Sequence, residues 1–287
     1  MKKKKIDLID VIAHLLLIIL TCVFLYPILH CLAVSFSSNY YILAKKVTIF
    51  PMGFDLGSYK YMLEDNTVFR AFANAVYYTV IGVLCNVIFT ALMAYPLSKT
   101  YLMGRSVILK LIMFTMYFSG GTIPTFLVVK DLHLLDSVWA LVLPGLIQTM
   151  NMIVLINFFQ SIPSSLYEAA YLDGASEYQV LRKVVVPLSK ASLASIALFC
   201  FLNHWNSWFG PMIYLNDKKK FPLQLVLRTM LLEATQTEDI YTMATAKITP
   251  VGIKNATIVL TMIPVLIVYP LAQKHFVKGV MVGGVKG

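Results

Sequence analysis

The chain has 287 residues, of which 59% are hydrophobic and only 13% charged, and its mean hydropathy is +0.75. Soluble globular domains carry about 25% charged residues, so this composition excludes a soluble globular domain and points to an all-α integral membrane protein. The formal net charge of +10 reads as membrane topology and attraction to lipid headgroups, not as binding of nucleic acid.

Residues 1–10 form a basic N-terminus containing Lys2, Lys3, Lys4 and Lys5. The apolar run that follows, Val11 to Ala44, exceeds the ~7–15 residues of a secretory signal and lacks a small-x-small cleavage pattern, so it is expected to be a first span. Cys31 follows Ile28-Leu29-His30, which lack the small residues of a lipoprotein cleavage site. Further charge-free runs extend over Ala71–Ser98, Leu111–Val129, Ser137–Tyr167, Ala191–Asn216 and Asn255–Gln273. Each approaches or exceeds the ~20 residues that cross a ~30 Å hydrocarbon core as a helix. Six transmembrane helices are expected, at about 11–34, 71–98, 108–129, 137–159, 191–213 and 255–273, within one transmembrane domain over 11–278. The runs are continuously apolar instead of alternating, which argues against a β-barrel.

Basic residues near span ends set orientation. A cytoplasmic N-terminus places Lys2 to Lys5, Lys99, Arg105, Lys110, Arg182, Lys183, Lys190, Lys274, Lys278 and Lys286 inside, so both termini are expected in the cytoplasm of a multi-pass plasma-membrane protein. Two long segments then lie outside. Ser35–Arg70 reads as reentrant or surface-lying, and Pro211–Lys254 holds the basic triplet Lys218-Lys219-Lys220, expected to be a solvated connector, and an acidic patch at Glu233–Asp239.

The residues restrict the chemistry. No G-x-x-x-x-G-K-[ST] stretch occurs, so the chain lacks the loop that cradles ATP phosphates and is not expected to be an enzyme. His14, His30, His133, His204 and His275 show no metal-ligand spacing, and Cys22, Cys31, Cys85 and Cys200 lie in apolar runs where buried free thiols are expected. The charge-free runs hold no ionisable relay of Asp, Glu, Lys or Arg, which favours mechanical coupling to an outside energy source over coupling to an ion gradient.

The segment 160–190 is the most informative. Ser165 and Glu168 have the spacing of a capping box that starts a short helix. Gly174 supplies a left-handed stop, Ser176 and Gln179 repeat the box, and Pro187 closes a second helix. The helix–turn–helix carries small Ala169 and Ala170 beside acidic Glu168 and Asp173, a shape suited to a groove on another protein. The plainer alternative is that Glu168 only caps its own helix.

Spelled as Glu168-Ala169-Ala170, then Gly174, then Val184-Val185-Val186-Pro187, this segment resembles the EAA loop of membrane subunits of binding-protein-dependent ABC importers. The tail Gln273-Lys274-His275-Phe276-Val277-Lys278-Gly279, ending Gly283-Gly284-Val285-Lys286-Gly287, and the stretch His204-Trp205-Asn206-Ser207-Trp208-Phe209 extend the likeness over nearly the whole chain. The chain is similar to type I importer permeases of the carbohydrate group, such as the second membrane subunit of the maltose transporter. Val184 and Val186 stand where Ile and Leu are commoner. The resemblance implies a sugar or oligosaccharide importer in which this chain pairs with a second permease subunit, is fed by an extracytoplasmic sugar-binding protein, and docks on an ABC ATPase dimer that carries ATP and Mg. It implies that Glu168, Ala169, Ala170, Asp173 and Gly174 dock the ATPase and that a tail over 279–287, with Lys278, Gly279, Gly283 and Gly284 named, contacts it. A membrane scaffold or receptor binding a cytosolic partner through the same loop stands as the alternative.

Asn203, Trp205, Asn206 and Trp208 combine amides with flat indole faces, the two chemistries a pyranose needs, and are candidates for a substrate path. Membership of Trp205 and Trp208 in an interfacial aromatic belt is the competing expectation. Asn74, Tyr77, Tyr78, Asn86, Tyr117, Gln148 and Asn151 are expected to make interhelical hydrogen bonds.

Overall fold

The computed structural model describes residues 8–64, 66–236 and 249–279. Among them the chain is helical, with one isolated antiparallel bridge between Ser37 and Phe54. Three helices are long and apolar enough to cross a membrane unaided: α1 (Leu8–Ser35), α4 (Asn66–Ser98) and α15 (Pro250–Gly279). Each bent pair counted as one span raises the number to six.

The bends are where the structure departs from the expected continuous spans. The third apolar run is α5 (Arg105–Tyr117) and α6 (Thr122–Asp131), turned through 113°. The intervening Ser119-Gly120-Gly121 ends the helix, with Gly121 at φ +86°, a conformation that costs other residues dearly. The fourth is α7 (Val138–Val142), a 3₁₀ turn over Leu143–Gly145 containing Pro144, and α8 (Thr149–Gln160), bent by 57°. The expected span 191–213 is α12 (Lys190–Trp205), a break at Asn206–Trp208, and the short α13 (Phe209–Tyr214). Apolarity alone marked these runs; in the third and fourth, Gly120, Gly121, Pro144 and Gly145 mark where the helix gives way.

The chain divides into two compact units, Met1–Phe69 with Val226–Ile263, and Arg70–Leu225 with Pro264–Gly287. In the first, α1 buries none of its most apolar stretch, leaving that surface for hydrocarbon or another helix. The segment after it is a packed loop with α2 (Asn39–Leu43) and α3 (Gly57–Glu64), around Ala33, Val34, Ile42 and Val47. The Asn39 side chain accepts hydrogen bonds from Thr249 N and Oγ1 at 3.0 and 3.2 Å.

The second unit is built on Ala94, Tyr95, Leu97, Met152, Leu155, Phe159, Val180, Val185 and Cys200. Polar side chains mend the backbone where the helices break. Asn86, fully buried, donates to the carbonyls of Gly145 and Leu146 at 2.8 and 3.0 Å, and its Oδ1 lies 2.8 Å from His204 Nε2. Carbonyls freed by a bend at membrane depth need such partners. Asn74 donates to the carbonyls of Lys219 and Phe221, and Tyr78 to that of Lys220. The basic triplet, expected to be a solvated connector, is therefore an anchored 3₁₀ turn capped by Asp217. Asn151 reaches Gln148 and Cys200. Tyr77 and Tyr117 instead stand exposed. Of the cysteines only Cys200 is buried, and Cys22 is exposed on α1, because it lies in the uncovered apolar stretch of that helix. The acidic patch at 233–239 lies largely outside the described residues.

Candidate functional site

Between α8 and α12 the chain makes α9 (Ser164–Leu172), a turn, and a second helical stretch of α10 (Glu177–Val180), a π-helical turn (Leu181–Val185) and α11 (Val186–Leu188). The first expected capping box does not form. Pro163 occupies the cap of α9, with no side-chain cap bond. Ser165 therefore lies inside the first turn, and Pro163 offers no N–H for Glu168 to accept. Glu168 is left exposed.

The turn forms as expected. Gly174 takes φ +76°, its N–H donates to Tyr171 O, and Ala175 N–H donates to Ala170 O, both at 3.0 Å. This pair of bonds closes a helix on a left-handed residue. Ser176 then caps α10 reciprocally: its N–H donates to Gln179 Oε1 at 2.9 Å while Gln179 N–H donates to Ser176 Oγ at 3.4 Å. Past Pro187, which has no N–H to continue the ladder, the chain turns through 82° into α12.

α9 has two faces. Ser165, Glu168, Ala169 and Leu172 are exposed at helical spacing, and Leu172 is 89% exposed. Tyr167 and Ala170 pack on the core of the unit. Of the expected docking residues, Glu168, Ala169, Asp173 and Gly174 thus lie on the exposed side and Ala170 is half-buried on the inner one. Leu172 was not singled out from the sequence, although its spacing from Glu168 and Ala169 places it on their face.

Behind α9 stands a cluster that sequence reasoning missed. The Lys99 ammonium lies 3.5 Å from the ring centre of Tyr167, 4.8 Å from that of Tyr95 and 5.6 Å from that of Tyr171, and donates to Tyr171 Oη at 3.3 Å. Glu177 accepts from Tyr95, from Tyr171 at 2.9 Å to both oxygens, and from Tyr101 at 3.2 Å. Burial penalises the Glu177 charge, but the three hydroxyls and Lys99 outweigh it and hold the carboxyl below its usual range. Burial pulls the Lys99 ammonium down, opposed by Glu177. Burial, then the Tyr101 hydroxyl and the Glu177 carboxylate, push the Tyr171 phenol up against the opposing bond with Tyr95. The available signal was two i,i+4 pairs, Tyr95/Lys99 and Tyr167/Tyr171.

The candidate path residues do not share one wall. Trp205 is 1% exposed, edge-on to Phe72 at 5.8 Å and stacked on Phe201 at 6.1 Å, so its indole has no open face for a sugar. Asn203 and Asn206 are exposed, and Asn206 Nδ2 donates to Leu202 O. Trp208 is half-buried against Phe209. A cavity of about 570 Å³ beside Trp205 is walled by Val76, Val83, Leu198, Phe201 and Pro264, with Thr79 the sole hydroxyl on its lining; its walls suit hydrocarbon. Of the tail, Lys278 and Gly279 end α15, while Gly283 and Gly284 lie outside the described residues.

Comparison with known proteins places this geometry. Residues 87–282 match the family described as binding-protein-dependent transport system inner membrane component. The chain is 42% identical, over 100% of both chains, to the polygalacturonan/rhamnogalacturonan transport system permease protein YtcP of Bacillus subtilis strain 168. It is 44% identical to protein LplC of the same organism, over 91% of this chain and 89% of that one. A chain in the crystal structure of a bacterial ABC transporter that imports the acidic polysaccharide alginate superposes with a TM-score of 0.88 at 35% identity, covering 96% of this chain and 99% of that one. The match over 87–282, with its bent apolar helices and the α9 turn between them, makes this chain a member of the binding-protein-dependent transport system inner membrane component family.

Proposed function

We propose that this chain is one translocation subunit of an ATP-driven oligosaccharide importer and that α9 is the helix on which a separate ATPase acts. The observation that carries the reading is α9 itself: a short helix closed at its C-terminal end by the Gly174 turn, with Ser165, Glu168, Ala169 and an 89% exposed Leu172 turned outward. A lone exposed leucine is ordinary, but here it shares one helical face with the Glu168 carboxylate and the small Ala169, a face shaped to meet a partner protein. Family membership supplies the context, and the names of YtcP and the alginate transporter favour an oligosaccharide.

In this account Glu168, Ala169, Asp173 and Gly174 meet the ATPase, with Lys278, Gly279, Gly283 and Gly284 as further contacts from the tail. ATP and Mg belong to that partner. Both termini face the cytoplasm. A second permease completes the path, an extracytoplasmic binding protein delivers the sugar, and exposed Asn203 and Asn206 are the residues of this chain offered to it. Access alternates as rigid spans rock when α9 moves.

The test is at Leu172. Leu172→Asp adds a third carboxylate to the face, beside Glu168 and Asp173, and loss of an apolar anchor costs about 2 kcal/mol. Co-purification of the ATPase and uptake should fall together while membrane insertion persists. Leu172→Cys should cross-link to the ATPase in native vesicles. Full ATPase recovery with Leu172→Asp would refute the docking surface.

A further inference from the structure

The reading of α9 as the ATPase-docking helix leaves open how its displacement reaches the spans. The apolar contacts of Tyr167 and Ala170 with the core are non-directional, so they resist separation better than sliding. Gln160 Nε2, at the start of the segment, donates to Ser98 O at 3.2 Å; the directional contacts from α9 and α10 to the end of α4 converge on one cluster. α4 and the residues just after it supply Tyr95, Lys99 and Tyr101; the coupling segment supplies Tyr167, Tyr171 and Glu177.

Two features make the cluster a joint. Lys99 sits 3.5 Å over the Tyr167 ring and also donates to the Tyr171 hydroxyl, so one α4-end cation grips two successive turns of α9. That hydroxyl donates to Glu177, which also accepts from Tyr95 and Tyr101, so the carboxylate ties α10 to the α4 side from the other flank. The α4 end is itself pinned, because Arg105 Nε donates to Leu97 O at 2.7 Å.

We propose that Lys99 and Glu177 are positioning residues that lock the coupling segment to the end of α4, so that movement of α9 is carried into the span.

The test uses the chain in complex with the second permease and ATPase subunits that co-purify with it, in lipid nanodiscs. A cysteine introduced as Asn203→Cys, in a background with the native cysteines replaced, reports on the span through its reaction with a charged thiol reagent, with and without a non-hydrolysable ATP analogue. With the joint intact, nucleotide should change the labelling rate several-fold. In Lys99→Met that response should be largely lost, since single positions modulate coupling by about two- to thirtyfold, while basal ATP hydrolysis stays within about twofold. Lys99→Arg keeps a cation over the rings and should restore the response. Tyr171→Phe keeps the ring and removes only the bridging hydroxyl, so it should fall between, and it remains informative should Lys99→Met assemble poorly. A wild-type nucleotide response in Lys99→Met or, failing its assembly, in both Tyr171→Phe and Glu177→Gln would overturn the joint. Failure of the unmodified chain to recover any ATPase would instead overturn the docking reading on which it rests.

Discussion

Asn86 shows what single polar residues do in this chain. Its amide satisfies the Gly145 and Leu146 carbonyls released where the 3₁₀ turn interrupts α7 and α8, and its oxygen meets His204. Gly82 stands one turn earlier because any Cβ there would come 2.5 Å from the His204 ring. Asn86→Leu would leave two carbonyls and the imidazole unpaired in a buried site, and each buried unmet group costs about 1–3 kcal/mol in water-soluble proteins and less within bilayers. A loss of about 1–3 kcal/mol, read as a lower detergent melting temperature, is expected, with α9 docking unaffected in the surviving fraction. At this scale the sequence was partly legible. The polar residues within spans were recognisable as hydrogen-bonding groups, and Gly174 as a left-handed stop. Trp205 was not placed, because a buried indole and an interfacial one have the same neighbours in sequence.

At the scale of elements, short connections are held by few groups. The loop between α6 and α7 is clasped to the one after α13 by Asp136, whose carboxylate accepts from Asn216 N–H at 2.7 Å and Asp217 N–H at 3.0 Å, while Lys220 donates to its carbonyl. The Asp217 and Asn216 amides hold this carboxyl below its usual range. The sign follows: a depressed folded value adds stability that is full above the unfolded value near about 4 and is lost as pH falls through the lower folded value. Melting temperature measured from pH 7 downward should therefore hold to about pH 4 and drop below it, and Asp136→Asn should flatten that acid limb. A mutant that keeps the full acid drop would remove the clasp from the account. Element positions were readable from apolar runs, but the 113° and 57° turns inside the third and fourth runs were not, since glycine and proline are tolerated inside membrane helices whenever neighbours re-satisfy the backbone. The first capping box failed for a local reason, Pro163 at the cap. The Lys99–Glu177 cluster was hidden because Tyr95 and Glu177 are 82 residues apart, beyond any periodicity.

For the whole molecule, composition established a membrane chain, and the Glu168-to-Pro187 segment pointed to the family before any fold was known. What that segment could not reveal is its division of labour, with Leu172 outward and Tyr167 inward on one nine-residue helix. The central claim is that this chain conducts an oligosaccharide when a separate ATPase drives it. The most direct measurement is accumulation of labelled oligosaccharide in proteoliposomes holding this chain with its co-purified permease and ATPase partners, loaded with ATP and supplied with the binding protein outside. The account predicts uptake that requires both ATP and the binding protein and that is lost in Leu172→Asp. A chain that purifies without an ATPase, or uptake that proceeds equally without ATP, would contradict it.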